Sequence, residues 1–385
     1  MSNLPSPSPD YTHQGGAWTA REIHQQPAVW QDTVAVVAAA GDRLQSFLEP
    51  LLARTDLRII LTGAGSSAYI GQCLQPDLLA VLGRRVEAIA TTDLVAGPAR
   101  YFQRAVPTLL VSFARSGNSP ESLAAVELAE HFVDECHQLV ITCNEAGALY
   151  RRTSARQNGF ALLLPEATHD RGFAMTSSFS SMLYAAYRVL APAVLDAAAG
   201  TRIQAAARFL LETMPARIDD LVARRLARTV YLGSCGLSGL ANESALKLLE
   251  LTDGAVAAIA NSPLGFRHGP KTFVTRNTLV VTFLSNDPLT RRYDIDLVRE
   301  LKSDGIAGRV LALSAARDDL AGLDALVVPG MESAGDAELA LAFLIVAQLY
   351  AFQMSIALGC TPDNPSASGA VNRVVKGVTI HPVGA

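Results

Sequence analysis

The fold is decided by the stretch Ile59-Ile60-Leu61-Thr62-Gly63, a short apolar run that ends in a glycine, because the chain repeats it. The run Val230-Tyr231-Leu232-Gly233 lies 170 positions further on, and residues 108–113 become residues 278–283 at the same offset of 170. Two more pairs are residues 140–141 with 310–311, and residues 162–165 with 326–329, where the offset is 164. A nearly constant offset indicates a duplicated structural unit.

The repeated runs have the pattern of buried strands. Each is short, apolar and largely β-branched, and precedes a stretch of Ala, Leu and Glu that suits a helix. Such alternation favours a parallel sheet with right-handed crossovers. We therefore predict an α/β fold of two tandem units, each a doubly wound parallel β-sheet flanked by helices in a three-layer αβα arrangement. Ligands bind beyond the carboxyl ends of such strands, so the turns there are candidate sites.

The length of 385 residues predicts two domains, because it exceeds the size of one compact core. Residues 1–16 are rich in Pro, Ser and Gly and are expected to form a flexible N-terminal arm. We place the first unit, with an N-terminal helix, at residues 17–200, and the second unit, with a C-terminal tail, at residues 201–385. The stretch Thr19-Ala20-Arg21-Glu22 has the capping-box pattern and predicts that the first helix starts there.

Charge and cysteine content exclude several classes of protein. The formal net charge is −4 with acidic and basic residues interleaved, so we expect no nucleic-acid partner. The five cysteines stand singly, lack metal-ligand spacing and follow no signal peptide, which predicts reduced thiols in a cytoplasmic protein. Cys143 and Cys235 lie near strand ends and are interpreted as small buried apolar residues.

The segment from Leu339 to Pro362 contains no charged residue and is long enough to span a membrane. It includes Gln348, Gln353 and Ser355 and has no neighbouring cluster of Lys or Arg to set an orientation. We therefore expect no membrane span and predict a long helix buried between domains or subunits.

Two glycine- and serine-rich turns follow neighbouring predicted strands. The first is Gly63-Ala64-Gly65-Ser66-Ser67, and the second runs from Ala114 to Ser122, with Pro120 at the expected start of a helix. Helix N-termini and serine hydroxyls can hold an anion, although the same residues also make ordinary tight turns. The chain lacks Gly-x-x-x-x-Gly-Lys-Ser/Thr, and Ala68 breaks a Gly-x-Gly-x-x-Gly match, so a sugar phosphate fits better than a nucleotide.

Glu243, Lys247 and Glu250 are spaced four and three residues apart and share one face of a predicted helix. One interpretation is an exposed stripe of salt bridges. The other is a carboxylate shielded among leucines, whose pKa burial raises and the lysine lowers, and which removes a proton beside a carbonyl. His268 lies in a loop bounded by Gly and Pro, where it is either solvated or shuttles a proton between sugar oxygens.

Five stretches together resemble the sugar isomerase (SIS) family. The resemblance is to the isomerase half of glucosamine-6-phosphate synthase and, more closely, to the galactosamine-6-phosphate deaminase type, also described as tagatose-6-phosphate ketose/aldose isomerase. It covers nearly the whole chain from about Thr19. The stretches are residues 112–122, 170–179, 243–250, 262–271 and the tail around Lys376.

The resemblance implies roles for nine residues by position. The implied phosphate contacts are Ser66, Ser67, Arg115, Ser116 and Ser119. The implied catalytic residues are Glu250 as the base that moves a proton between C1 and C2, Lys247 beside it, His268 for ring opening, and Lys376 in the tail.

The resemblance also implies an assembly and marks three departures. In the synthase the histidine reaches into the neighbouring subunit's site, so at least a homodimer with a shared site is implied. Ala114 and Met175 stand where the synthase has serines, and the tail before Lys376 is longer. These departures bear on the hydroxyl contacts and on sugar selectivity.

The implied reaction is isomerisation with deamination, converting D-galactosamine 6-phosphate to D-tagatose 6-phosphate plus ammonia. The chain begins Met1-Ser2-Asn3 and lacks the glutaminase domain that supplies ammonia in the synthase, so ammonia release is the expected direction. Simple ketose/aldose isomerisation and non-catalytic sugar-phosphate sensing are the alternatives. No metal cluster or nucleotide fingerprint is present, and we expect no cofactor or metal. The motifs do not distinguish a galacto from a gluco substrate.

Overall fold

The computed structural model describes residues 10–366, 368–369, 371–375 and 377–382. Strands and helices alternate through this part of the chain, which confirms the predicted α/β class. The strands of the first unit are β1 (Arg58–Thr62), β2 (Val86–Ala88), β3 (Thr108–Ala114), β4 (Cys136–Thr142) and β5 (Gly159–Leu163). Those of the second are β6 (Arg228–Gly233), β7 (Ala257–Asn261), β8 (Thr278–Phe283), β9 (Arg309–Ser314) and β10 (Ala325–Val327).

Helices cover both faces of the two sheets. The helices up to the end of the first unit are α1 (Ala17–His24), α2 (Gln26–Ala39), α3 (Gly41–Leu52), α4 (Ser66–Leu82), α5 (Thr91–Ala96), α6 (Pro98–Tyr101), α7 (Pro120–Phe132), α8 (Ala148–Ser154) and α9 (Ser177–Leu190). The remaining helices are α10 (Ala197–Ala223), α11 (Gly236–Leu251), α12 (Pro263–Phe266), α13 (Pro288–Asp304) and α14 (Asp336–Ala357). Short 3-10 turns lie at Thr12–Gln14, Glu166–Thr168 and Pro270–Phe273.

The two sheets have the same topology, as the sequence repeat predicts. The first has the strand order β2-β1-β3-β4-β5 and the second the equivalent order β7-β6-β8-β9-β10, with all neighbours parallel. The registers agree as well, because Thr62 pairs with Ser112 and Leu232 pairs with Thr282. Within the described residues the chain is therefore two copies of one doubly wound unit.

One apolar core joins the two units. Helices α4, α9, α10, α11 and α14 pack together between the sheets, and residues of both sheets belong to the same buried cluster. Helices α4 and α11 occupy equivalent positions and touch each other. The Asn242 amide donates to the Gln72 side chain at 2.9 Å, and these residues are 170 positions apart. Gly239 allows the contact, because a Cβ there would lie 2.5 Å from the backbone nitrogen of Cys73.

Helix α14 contains residues 339–357 of the long uncharged segment that the sequence singles out. It is apolar and long enough to cross a membrane, but 89% of its most apolar stretch is buried inside the protein. It packs against α10 and α11, and the buried Gln348 side chain accepts a hydrogen bond from Gln26 at 2.7 Å. The prediction of a buried helix between domains is confirmed.

The first helix starts three residues earlier than the capping-box pattern predicts, because its N-cap is Gly16 and not Thr19. Helix α1 begins at Ala17, and the carboxylate that caps it belongs to Asp363, which accepts from the backbone nitrogens of Trp18 at 3.0 Å and Thr19 at 2.8 Å. The predicted cap was wrong because the Thr19 hydroxyl donates to Asp363 and Glu22 accepts from the backbone of Arg171 and Gly172. The C-terminal segment thus holds the N-terminal helix in place.

All five cysteines are free thiols, as predicted. Cys143 is buried, which confirms its interpretation, and burial raises the pKa of its thiol to about 12. The interpretation of Cys235 was wrong, because this side chain is exposed. It stands where the first unit has Gly65, and both residues have a positive φ, +48° for Cys235 and +57° for Gly65. The tight strand-to-helix turn therefore keeps its shape in the second unit without glycine.

Candidate active site

The turn after β1 forms the first half of a candidate phosphate cradle. Gly63 has no room for a side chain, because a Cβ there would lie 2.5 Å from the Cβ of Ser67. The positive φ of Gly65 then turns the chain into α4, which begins at Ser66. Ser66 and Ser67 are buried in the first helical turn, where the backbone nitrogen of Ser67 donates to the carbonyl oxygen of Ala64 at 3.1 Å. The N-terminus of a helix favours an anion through its partial positive charge.

The turn after β3 forms the second half of the cradle. Gly117 has a positive φ of +64°, and Asn144 holds the turn by donating to the carbonyl oxygen of Ser116 at 2.7 Å. Ser119 caps α7, since its hydroxyl accepts from the backbone nitrogen of Ser122 at 3.3 Å, and Pro120 is the first helical residue, as predicted. Because β1 and β3 are adjacent parallel strands, both turns lie at the same edge of the sheet.

The equivalent turns of the second unit contact aspartates of α13 and α14 instead, of which Asp294 is buried and Asp336 is half-buried. The Ser234 hydroxyl donates to Asp294 at 2.6 Å, and the Ser285 hydroxyl donates to Asp336 at 2.6 Å. Burial raises the pKa of both Asp294 and Asp336 to about 6. Negative charge next to these turns disfavours a phosphate, so the cradle of the first unit is the candidate site.

Arg115 lies between the cradle and two other segments. Its side chain is buried and donates to the carbonyl oxygens of Phe173 at 3.0 Å and Gly172 at 3.3 Å. The other terminal nitrogen donates to the carbonyl oxygen of Arg373, in the C-terminal tail, at 2.9 Å. The Arg115 guanidinium thus joins the turn after β3 to the loop at residues 172–173 and to the C-terminal tail.

Helix α11 carries the three charged residues that share a face. Glu243 and Lys247 are fully buried, with 3.6 Å between the Lys247 ammonium and the Glu243 carboxylate. Lys247 also forms an ion pair with Glu250, whose side chain remains 24% exposed. Because two of the three residues are buried, the interpretation of this helix face as an exposed stripe of salt bridges is excluded. Glu250 is the member of the cluster that a ligand can reach.

Burial and mutual charge set the proton affinities of this cluster. Burial raises the pKa of Glu243 to about 8, while the charge of Lys247 and the nearby Ser66 hydroxyl act in the opposite direction. Burial alone would lower the pKa of Lys247, but the two carboxyl groups outweigh it and raise that pKa. Lys247 is therefore held as an ammonium ion between two carboxyl groups.

The cradle and the charged cluster adjoin each other. A Cβ on Gly65 would lie 3.9 Å from a methyl group of Leu246, in the middle of the α11 cluster. Tyr69, one turn into α4, is close enough that burial and the charges of Glu243 and Glu250 raise its pKa. The serine turn and the acid–lysine–acid cluster thus form one polar site at the contact of α4 and α11.

His268 lies in a loop that is anchored on both sides. Arg267 donates to Glu300 at 2.7 Å, and Lys271 forms ion pairs with Glu300 and with Asp304, the latter at 2.6 Å. His268 itself is exposed and, within the described part of this single chain, its imidazole makes no hydrogen bond or ion pair with the α11 cluster. Lys376 lies outside the described residues.

Residues to which the sequence analysis gave no role in the site also lie beside it. Asp170 is fully buried and accepts hydrogen bonds at the start of α9, from Thr176 N at 2.8 Å and Ser178 N at 2.9 Å. Glu22 and Arg373 bind the loop that follows Asp170 from opposite sides. No local pattern could reveal these contacts, because their partners are far apart along the chain. Among the described residues, no group of three or more His, Cys, Asp or Glu side chains is placed to hold a metal ion.

Stability should fall with rising pH because of Glu243. Its pKa is about 8 in the folded chain against an ordinary value of 4.5, so the folded state holds a proton that the unfolded state has released. The contribution of this proton to the free energy of unfolding is fully present below about pH 4.5 and is lost as pH rises through about 8. For one such group the slope reaches at most about 1.4 kcal/mol per pH unit.

Urea unfolding between pH 5 and pH 9 measures this slope. Glu243→Gln cannot titrate, so its free energy of unfolding should depend on pH less steeply than that of the wild type. Glu212→Gln is the matched control, because Glu212 is exposed on α10 and should keep the wild-type slope. Parallel curves for the wild type and Glu243→Gln would contradict the expectation.

Comparison with known proteins agrees with this geometry. A family model described as the SIS domain matches residues 51–191, and the chain belongs to this family. It is 49% identical over 369 residues to the D-galactosamine-6-phosphate deaminase AgaS of Escherichia coli, covering 95% of this chain and 96% of that one. A protein of the same name from Shewanella sp. (strain ANA-3) is 43% identical over 384 residues, covering 99% of this chain and 96% of its own.

A solved structure is similar over the whole chain. The crystal structure of tagatose-6-phosphate ketose/aldose isomerase from Escherichia coli superposes with a TM-score of 0.88 at 45% identity, covering 99% of this chain and 100% of that chain. The family resemblance drawn from the sequence is therefore confirmed, and so is the fold of two SIS-like units.

Proposed function

We propose that this protein is an amino-sugar-phosphate deaminase that converts D-galactosamine 6-phosphate and water to D-tagatose 6-phosphate and ammonia. The observation that carries the proposal is the contact of the serine cradle with the Glu243–Lys247–Glu250 cluster, in which Glu250 is the accessible member. When the phosphate of a hexose 6-phosphate is bound in the cradle, C1 and C2 of the sugar would lie next to Glu250. The names of the relatives that share almost half of the residues support the same substrate.

The phosphate would bind across both halves of the cradle. Ser66 and Ser67 supply hydroxyls and helix N–H groups from α4, and Ser116 and Ser119 supply them from the β3 turn and the start of α7. Arg115 adds positive charge from the side of the cradle that faces the tail. A dianion is favoured there because two helix N-termini and one guanidinium surround it.

Glu250 would move the proton. In the open-chain sugar, Glu250 takes the hydrogen from C2, and the electrons of that bond shift to form an enolamine between C1 and C2, with a proton added to O1. Glu250 returns its proton to C1, which leaves an imine at C2. Water adds to the imine carbon, and ammonia leaves as the C2 ketone forms. Lys247 stabilises the negative charge that develops on oxygen.

His268 and Lys376 would complete the site, with His268 opening the sugar ring. We propose a homodimer in which His268 reaches the site of the neighbouring subunit. The exposed imidazole on an anchored loop, with no contact to its own α11 cluster among the described residues, supports this arrangement. Consistent with the buried α14 and the free thiols, we place the protein in the cytoplasm, without nucleic-acid or membrane partners.

An ammonia assay tests the proposal. The purified protein should release ammonia and ketose 6-phosphate in equal amounts from D-galactosamine 6-phosphate, and more slowly from D-glucosamine 6-phosphate. Tagatose 6-phosphate converted to an aldose, with no ammonia from either amino sugar, would instead establish the ketose/aldose isomerase, as named for the similar crystal structure. Binding of these sugars without turnover would establish a sensor.

A further inference from the structure

Tyr69 lies where helices α4 and α11 meet. Gly65, Tyr69 and Gln72 are spaced four and three residues apart, so they lie on one side of α4. A Cβ on Gly65 would lie 3.9 Å from Leu246 of α11. At the other end of this side, the Gln72 side chain accepts from Asn242 of α11 at 2.9 Å. Tyr69 is half-buried between these two contacts.

The Tyr69 side chain leans toward the phosphate cradle. Side chains on a helix tilt toward its N-terminus, and the N-terminal residues of α4 are Ser66 and Ser67. The carboxyl groups of the α11 cluster are also near, because burial and then the charges of Glu243 and Glu250 raise the pKa of Tyr69. The phenol therefore lies close to both the cradle and the charged cluster, and it keeps its proton at neutral pH.

The Tyr69 hydroxyl is available to a ligand. Among the described residues it has no hydrogen-bond partner, and its oxygen is open to solvent rather than enclosed. The hydroxyl of Tyr187, on α9, differs in this respect, because that side chain is fully buried and donates to Asp77 at 2.7 Å. A partly buried tyrosine hydroxyl usually finds a partner. Beside a polar site, the partner that fits is the substrate.

We propose that Tyr69 is a substrate-binding residue whose hydroxyl forms a hydrogen bond with a hydroxyl group on C3, C4 or C5 of the sugar phosphate. The inference rests on the proposed function, which puts the phosphate of C6 in the cradle and C1 and C2 at Glu250. The carbons between them then pass beside Tyr69, since this side chain adjoins both places. None of the other proposed contacts lies on these three carbons, so Tyr69 holds the middle of the sugar.

Tyr69→Phe removes the hydroxyl oxygen and keeps the ring that packs against the core. The KM of ammonia release from D-galactosamine 6-phosphate should rise roughly three- to tenfold, as for the loss of one hydrogen bond, while kcat stays within about twofold. Inorganic phosphate, used as a competitive inhibitor, should keep its wild-type inhibition constant, because it fills the cradle and has no carbon chain. A general structural effect would weaken both ligands together.

Tyr293→Phe is the matched control. It makes the same chemical change on α13, where the Tyr293 side chain is 44% exposed. This variant should keep the wild-type KM, kcat and phosphate inhibition. The proposed contact is overturned by an unchanged KM in Tyr69→Phe, by weaker phosphate inhibition in that variant, or by equal changes in Tyr293→Phe.

Failure of the proposed function is recognised separately. If the wild type releases no ammonia, the deaminase assignment falls, and calorimetric binding of D-galactosamine 6-phosphate and of inorganic phosphate tests Tyr69 instead. Binding of the sugar phosphate alone that is roughly three- to tenfold weaker in Tyr69→Phe supports the contact. Equal binding by the wild type and the variant, or no binding by either, overturns it.

Discussion

Glu250→Gln is expected to lower the kcat of ammonia release by about 10²- to 10⁴-fold, the range in which a positioned general base contributes. The amide keeps nearly the same shape and can still accept a hydrogen bond from Lys247, but it cannot take a proton from C2. KM should change little, because the proposed phosphate contacts in the serine cradle do not include the Glu250 carboxylate. Steady-state ammonia release with D-galactosamine 6-phosphate measures both constants.

The control for this variant is Glu212→Gln, which makes the same chemical change on an exposed face of α10. It should leave both constants at the wild-type value. If Glu250→Gln keeps its kcat within about threefold of the wild type, another group must move the proton, and the assignment of Glu250 is wrong.

Asp170→Asn should have the largest effect on stability. The Asp170 carboxylate is fully buried and accepts from the backbone nitrogens of Thr176 and Ser178 and from the hydroxyls of Ser177, at 2.5 Å, and Ser178, at 2.6 Å. An asparagine places an N–H₂ group against some of these donors, so buried donors lose their acceptor. We expect the free energy of unfolding to fall by about 3–5 kcal/mol.

Urea unfolding at constant pH measures this loss, with Asp196→Asn as the matched control. Asp196 also caps a helix, accepting from the backbone nitrogen of Ala199 at 2.8 Å, but it is exposed, so water can replace its contacts. Its variant should lose clearly less stability than Asp170→Asn. Equal losses in the two variants would show that burial of Asp170 adds nothing beyond an ordinary helix cap.

Local sequence patterns predicted the parts of the molecule that depend on neighbours in the chain. Repeated apolar runs marked the central strands, and their common offset predicted two equivalent units before any contact was known. Pro120 marked the start of α7 correctly, since proline suits the first turn of a helix. The spacing of Glu243, Lys247 and Glu250 predicted a shared helix face but left open whether that face is exposed.

Local sequence patterns did not predict the contacts between residues that are far apart in the chain. Thr19 and Glu22 match a capping box, yet each is occupied by a distant segment: Asp363 lies 344 positions from Thr19, and Gly172 lies 150 positions from Glu22. From the sequence, Cys235 is interpreted as a small buried apolar residue because no partner residue suggests a reactive thiol, but the side chain is exposed in the turn before α11. Its positive φ is tolerated there because the adjoining strand and helix fix the backbone.

The sequence by itself determined the class of fold, its duplication, and the two turns and one helix that carry most of the candidate site residues, because these follow from the periodicity and turn chemistry of adjacent residues. Tertiary structure alone decided which of these elements meet. It buried Glu243 and Lys247 against α4, left Glu250 accessible, and joined Arg115 to the tail through Arg373. The physical reason is that the burial and pairing of charges depend on how helices and loops pack. That packing involves residues hundreds of positions apart, so no single stretch of the sequence predicts it.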